Sequence, residues 1–186
     1  MKDSEHTSLQ GRLLVAAPSL VDPNFWRSVV LIAEHNSEGA MGLVLNRPLD
    51  VSVDEAVEPL SSLVDSTACV YRGGPVSPEA VVALAEFNEP DVSAELTFGQ
   101  IGFLGADPDV EQLQAATSRA RIFAGYAGWS GGQLEAELGE EAWIVADPVA
   151  DDVFTHDADG LWATVLTRLG GVPAFISLMP PDPSMN

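Results

Sequence analysis

The turn Gly128-Trp129-Ser130-Gly131-Gly132 fits G-x-S-x-G, the pattern that presents a nucleophilic serine between a strand and a helix. Asp147, Asp151 and His156 follow it in the order serine, acid, base. A serine hydrolase using Ser130, His156 and Asp147 is therefore one chemistry the chain could carry. A second reading explains the same serine without catalysis. Ser130 and Gln133 have the spacing of a capping box, in which each side chain satisfies a free amide at the start of a helix. No histidine-glycine oxyanion motif precedes the turn, since His6 stands near the N-terminus and Asn36 follows His35.

Three further groups could do chemistry. Glu34-His35-Asn36 closes an apolar run, and His35 could act as a general base or metal ligand oriented by Glu34. Consecutive strand residues face opposite ways, however, so Glu34 reaches His35 only if the strand has ended. The alternative is a turn histidine bonded to backbone. His6 and His156 are the only other histidines and neither HExxH nor CxxC is present, so no metal site and no cofactor are expected. Asn46-Arg47-Pro48 and Arg72-Gly73-Gly74-Pro75 each place an arginine beside a rigid turn. Side by side, Arg47 and Arg72 would bind a small anion, with the Gly73 and Gly74 amides as extra donors. Apart, they would neutralise carboxylates such as Asp50 or Glu79. The sequence leaves their proximity open. Trp129, with Tyr126 and Trp143, either lines a ligand pocket or packs on the core beneath its turn.

Charge decides which partners these groups can serve. Eight Lys and Arg against 28 Asp and Glu leave a net charge of −20, and no basic run occurs. Such a surface is repelled by nucleic-acid phosphates and anionic membranes, which argues against direct DNA contact. A protein partner or a small anion remains. The oligomeric state cannot be read. Cys69, the single cysteine, lies in the apolar run Ala68-Cys69-Val70-Tyr71 and reads as a small buried hydrophobe. Met1–Gln10 is polar with no apolar centre, and apolar runs are strand-sized, so a cytoplasmic protein without membrane spans is expected.

With 46% hydrophobic and 19% charged residues, a 186-residue chain is expected to form one packed domain. It should span residues 9–179, between flexible tails at 1–8 and 180–186. Strands are expected at Gly11–Ala17, Arg27–Ala33, Gly39–Leu45, Val70–Arg72, Phe98–Leu104, Ile122–Ala127 and Ala142–Ala146. Helices are expected after the capping box Ser52–Glu55, from Asp107-Pro108-Asp109-Val110, over Gln133–Leu138, and from Leu161 to Leu169 with Gly170-Gly171 as the stop. Residues 79–85 read equally as a helix opened by Ser77-Pro78 or as a buried strand. Strands interleaved irregularly with short helices point to α+β or a mixed sheet.

Four blocks, LLVAAPSLVDPNF (Leu13–Phe25), SVVLIAEHNSEGAMGLVLNRP (Ser28–Pro48), RGGPV (Arg72–Val76) and GYAGWSGGQLEAELGEEAW (Gly125–Trp143), resemble the YqgE/AlgH family in order and spacing. The resemblance runs from Leu9 to Gly171. It implies an α+β fold whose mixed, bifurcated β-sheet is rolled into a pseudo-barrel with flanking short helices. It implies no settled activity, and a non-catalytic binding or regulatory protein is the reading that fits. A transcriptional regulator with direct DNA contact, suggested by the AlgH name, ranks below the hydrolase because the chain shows neither helix-turn-helix nor basic patch. Many members carry cysteine before the Glu-His pair, where this chain has Ala33. The serine of the glycine-rich turn is not required across the family either.

Overall fold

The architecture is that of a computed structural model, which describes residues 7–88, 95–105 and 108–181. Its first three strands, β1 (Leu13–Ala16), β2 (Val29–Asn36) and β3 (Gly39–Val44), form an antiparallel meander. They are apolar almost without interruption because both faces are covered. Leu13, Val15, Leu31 and Leu43 pack on one side, while Leu14, Ala16, Val30 and Val44 pack on the other. Further along are β4 (Pro48–Ser52), β5 (Cys69–Arg72), β6 (Val76–Phe87), β7 (Glu95–Phe98), β8 (Ile101–Phe103), β9 (Thr117–Ser130) and β10 (Trp143–Ala146).

The sheet forks at β9. Its path runs β10-β1-β2-β3-β9-β6-β8-β7, and β9 also pairs in parallel with β5, which in turn pairs with β4. β3 takes β9 at Ala127–Ser130 and β6 takes it mainly at Thr117–Ala124. With β6 on one edge, β5 must share the other edge with β3. The result is a mixed, branched and open ten-stranded sheet in an α+β fold.

Short helices fill the wings: α1 (Val53–Ala56), α2 (Val110–Ala116), α3 (Gln133–Gly139), α4 (Ala150–Phe154), α5 (Leu161–Leu169) and α6 (Gly171–Ile176). The Ser52/Glu55 capping box of α1 is present in both directions. The apolar stripe of α5 lies on the sheet, where the buried Trp162 donates to the Ala16 carbonyl at 2.9 Å. Among the described residues no helix is long and apolar enough to cross a membrane.

Residues 79–85, which read equally as helix or strand, are strand, inside β6, because β9 supplies a ladder from Val81 to Phe87 and Ala83, Leu84, Ala85 and Phe87 are buried there. Pro78 is accommodated where the register shifts between Val76 and Val81. Other expectations are corrected. The single strand expected at Phe98–Leu104 is a hairpin, β7 and β8, turning at Gly99 with φ +54°. The cap of α2 is Asp109, whose carboxylate accepts the Gln112 amide at 3.2 Å, two residues later than expected; Asp107 lies outside the described residues. β9 is more than twice the expected Ile122–Ala127, and α4 and α6 were not anticipated. Residues 1–6 and 182–186 of the expected tails also lie outside the described residues.

Candidate functional site

The Ser130 turn forms from the end of β9, whose left-handed Gly132 (φ +79°) lets the chain reverse into α3. The expected reciprocal cap is only half made. Gln133 Oε1 accepts the Ser130 amide at 3.1 Å, but the exposed Ser130 hydroxyl donates to that same oxygen at 3.2 Å. Asp147 pairs with Arg12 at 3.2 Å. His156 lines a cavity beside Arg121, nine positions up β9 from Ser130, or about 30 Å of extended strand. Among the described residues no hydrogen bond joins any two of the three residues of the hydrolase reading.

Trp129 is core. Its indole is 5% exposed and packs with Phe25 and Trp143, with ring centroids 6.0 Å apart in each case. Both indole N–H groups, of Trp129 and Trp143, donate to Glu137 Oε2 at 2.9 and 2.8 Å. His35 is buried while Glu34 is exposed, as strand alternation requires. Its partner is Glu135, on α3: Nε2 lies 2.8 Å from Glu135 Oε1, and Nδ1 accepts the Leu9 amide at 3.0 Å. Accepting at Nδ1 places the ring proton on Nε2 and occupies the lone pair a general base would use. His35 therefore staples the N-terminal segment and α3 to β2. Asn46 is also a staple, accepting the Val29 amide and donating to the Arg27 carbonyl.

Arg47 and Arg72 come together. The Arg72 amide donates to the Arg47 carbonyl at 2.7 Å, and both side chains line a cleft of about 40 Å³. Gly74 borders it, but Gly73 does not act as an anion donor: its amide is spent on the Ala124 carbonyl at 2.9 Å.

A much larger cavity, of about 560 Å³, lies on the other side of β4 and β5. It falls within the roughly 300–1,000 Å³ typical of small-molecule sites. Leu63, Ile122 and Phe154 supply apolar wall, and Cys69, Tyr71, Arg119, Arg121 and His156 supply polar groups; Asp65 is its carboxylate. Arg121 is 8% exposed, with its guanidinium carbon 4.1 Å from the centroid of the Tyr71 ring. Nη2 donates to the Thr155 carbonyl at 2.6 Å, while the buried Nη1 meets no acceptor among the described residues. Burial lowers the Arg121 pKa from its ordinary value and raises that of Tyr71 above the ordinary phenol value, so the phenol remains a neutral donor. Cys69, expected to be buried, is half-exposed here. Among the described residues no group of three or more His, Cys, Asp and Glu is placed to hold a metal.

Arg119 stiffens the wall. It bonds Glu86 and Asp151 at 2.8 Å each and stacks 4.6 Å from the Phe154 ring centroid. Hydrogen bonding to Arg119 holds the Glu86 carboxyl below its ordinary value of 4.5. A carboxylate with a lowered folded-state pKa stabilises the fold above that ordinary value, and loses its contribution as pH falls through the lowered one. Glu86→Gln is expected to be less stable than wild type at neutral pH, with the gap closing as urea unfolding is repeated below pH 4.5. A gap independent of pH would show that the Arg119 bond is not its source.

A family model described as AlgH-like matches residues 13–174. The chain belongs to the AlgH-like family. An AlgH-like relative, a UPF0301 protein of Streptomyces coelicolor, is 41% identical over 189 residues, covering 98% of each chain. Among solved structures, a Corynebacterium diphtheriae protein superposes with a TM-score of 0.84 at 29% identity over 91% of each chain. The solution structure of AlgH from Pseudomonas aeruginosa gives 0.70 at 30% identity, covering 98% of this chain and 100% of that one. Membership settles the fold and assigns no molecular function. The His35–Glu135 and Trp129–Glu137 bonds join or lie within the sequence blocks that carry the AlgH-like resemblance. Apart from Pro48, the residues of the large cavity lie outside those blocks; His156 and Cys69 stand out in sequence for other reasons, and the signal that sequence reading passed over was an arginine, Arg121, inside an apolar strand.

Proposed function

We propose that this AlgH-like protein is a cytoplasmic, non-catalytic binding protein that takes a small organic anion into the cavity between β5, β9 and the α4–α5 connection. The observation that supports this reading is Arg121. A buried guanidinium nitrogen without an acceptor costs stability, on the order of 1–3 kcal/mol. An oxyanion that a slight side-chain shift brings to Nη1 removes that cost. The Tyr71 hydroxyl offers a second donor, and the apolar wall suits a hydrocarbon body. Cys69 and His156 both line the cavity but share no hydrogen bond among the described residues, and Ser130 is not part of its lining, which separates this reading from the hydrolase. The net charge of −20 weighs against a nucleic-acid ligand.

Cys69, the only thiol, reports on the site. Its thiolate displaces iodide from iodoacetate or iodoacetamide, giving a thioether in either case, and the two reagents differ mainly in charge. A protein of net charge −20 should repel iodoacetate. The expected result is the reverse: relative to a free thiol such as N-acetylcysteine, Cys69 favours iodoacetate several-fold, and millimolar aromatic or aliphatic carboxylates protect it. Arg121→Met should abolish the preference, with circular dichroism confirming the fold. An iodoacetate preference no greater than that of the free thiol, with no protection by any acid, would refute the proposal.

A further inference from the structure

We propose that the Arg47–Arg72 cleft is a second site, independent of the large cavity, that binds one small oxyanion of phosphate size. The two sites stand back to back. Pro48 and Tyr71 line the cavity, whereas their chain neighbours Arg47 and Arg72 line the cleft: Tyr71 and Arg72 are consecutive in β5 and face opposite ways, and Arg47 immediately precedes β4. The bond from the Arg72 amide to the Arg47 carbonyl fixes the spacing of the two arginines before any ligand arrives.

Charge singles out the cleft. Arg12, Arg119 and Arg168 are neutralised by the carboxylates of Asp147, of Glu86 and Asp151, and of Asp152, whereas Arg27 bonds the Met179 carbonyl and stacks on Trp162, and Arg121 bonds the Thr155 carbonyl, stacks on Tyr71 and faces the large cavity instead. Arg47 bonds the Trp26 and Asn46 carbonyls, which orient its guanidinium without neutralising it. Arg72 is exposed, and its side chain makes no hydrogen bond or ion pair among the described residues. The remaining walls are Pro23, Asn24, Val44, Gly74 and Pro75. In a chain with 28 acidic residues, this cleft is lined by two cations and no carboxylate. Asp159 acts on Arg47 from beyond the lining and forms no ion pair with it, so a ligand competes with only a distant charge.

Size limits the ligand. A cleft of about 40 Å³ has room for only a few waters, at roughly 10–15 Å³ each. Only the head of an oxyanion enters, and any larger body stays in solvent. Arginine's planar fork grips two oxygens of such a group at once, which a spherical halide cannot offer.

The experiment is a titration of the full chain with inorganic phosphate at constant ionic strength, followed by NMR of the arginine Nε–H and backbone amide signals. Sodium chloride serves as the control. Saturable shifts are expected at Arg72 and Gly74, with none from chloride. Arg72→Ala, at an exposed position that leaves the fold intact, should weaken binding at least ten-fold, and Arg72→Lys should restore only part of it. Glycerol phosphate run in parallel separates the sources: tighter binding than inorganic phosphate means the group belongs to a larger molecule, weaker binding means the free ion. Equal responses to phosphate and chloride, or unchanged affinity in Arg72→Ala, would overturn the proposal. Cys69 alkylation measured in Arg72→Ala keeps its iodoacetate preference whatever the phosphate result, so failure at one site is distinguishable from failure at the other.

Discussion

Gly74→Ala is expected to lose about 3 kcal/mol of stability or more, a large share of the roughly 5–15 kcal/mol typical of a domain. A Cβ at Gly74 would lie 2.2 Å from the carbonyl carbon and oxygen of Tyr126 and 2.3 Å from the Ala127 nitrogen. These are backbone atoms of β9, the strand shared by both branches of the sheet, so they cannot swing aside as a side chain would. Gly73 is in the same position, with its Cβ 2.2 Å from the Gly125 carbonyl oxygen. The glycine pair that reads in sequence as an anion-binding turn therefore owes its identity to the close crossing of two chain segments. Gly139→Ala is the control. It lies in α3 with nothing within 4 Å of its Cβ, and should be neutral or stabilising by up to about 1 kcal/mol. Urea unfolding monitored by circular dichroism measures both. Equal midpoints for Gly74→Ala and wild type would mean that the crossing at Tyr126 is wrong.

Arg168→Met is expected to cost about 2–4 kcal/mol, less than a fully buried pair because the Arg168 side chain is 34% exposed. The Asp152 side chain is 3% exposed, and its two oxygens accept from Arg168 Nη1 at 2.9 Å and Nη2 at 2.7 Å. The Val149 amide adds a third bond at 2.8 Å, closing the first turn of α4. Removing the guanidinium leaves a buried carboxylate with one donor instead of three. Replacing both partners, Asp152→Leu with Arg168→Met, removes the orphaned charge and should recover part of the loss, though the Val149 amide then lacks its acceptor. A double variant no more stable than Arg168→Met alone would show that the α4 cap, and not the ion pair, carries the energy. This link also anchors the connection bearing His156 and Ala158, so the Cys69 reagent preference is a second readout.

Local signals in the chain were sound where the cause is local. β1, β2 and β3 are visible as apolar runs because strands covered on both faces need no polar alternation. The α1 capping box is visible because its two bonds span only Ser52 to Glu55. The Ser130 box has the same spacing and closes differently, because Gly132 adopts a left-handed conformation to turn from β9 into α3. Residues 79–85 read equally as helix or strand, because a short apolar run such as Ala80–Ala85 suits either element until a partner strand is known. The candidate residues divide in the same way. Trp129 reads in sequence as either core or pocket, and Glu137 decides for core. His35 pairs with Glu135, 100 positions away, rather than with the adjacent Glu34.

By itself the sequence determined the acidic surface, the early strands, the family and its forked α+β sheet, since charge, burial pattern and motif order are written residue by residue. Tertiary structure alone decided that Arg47 meets Arg72, that Gly73 and Gly74 yield to a crossing strand, and that Arg121 ends in a cavity wall without a full set of partners. Each of these depends on which surfaces pack together across the β9 fork. Such pairings are selected by the summed burial and hydrogen bonding of whole strands, not by the few residues that end up in contact.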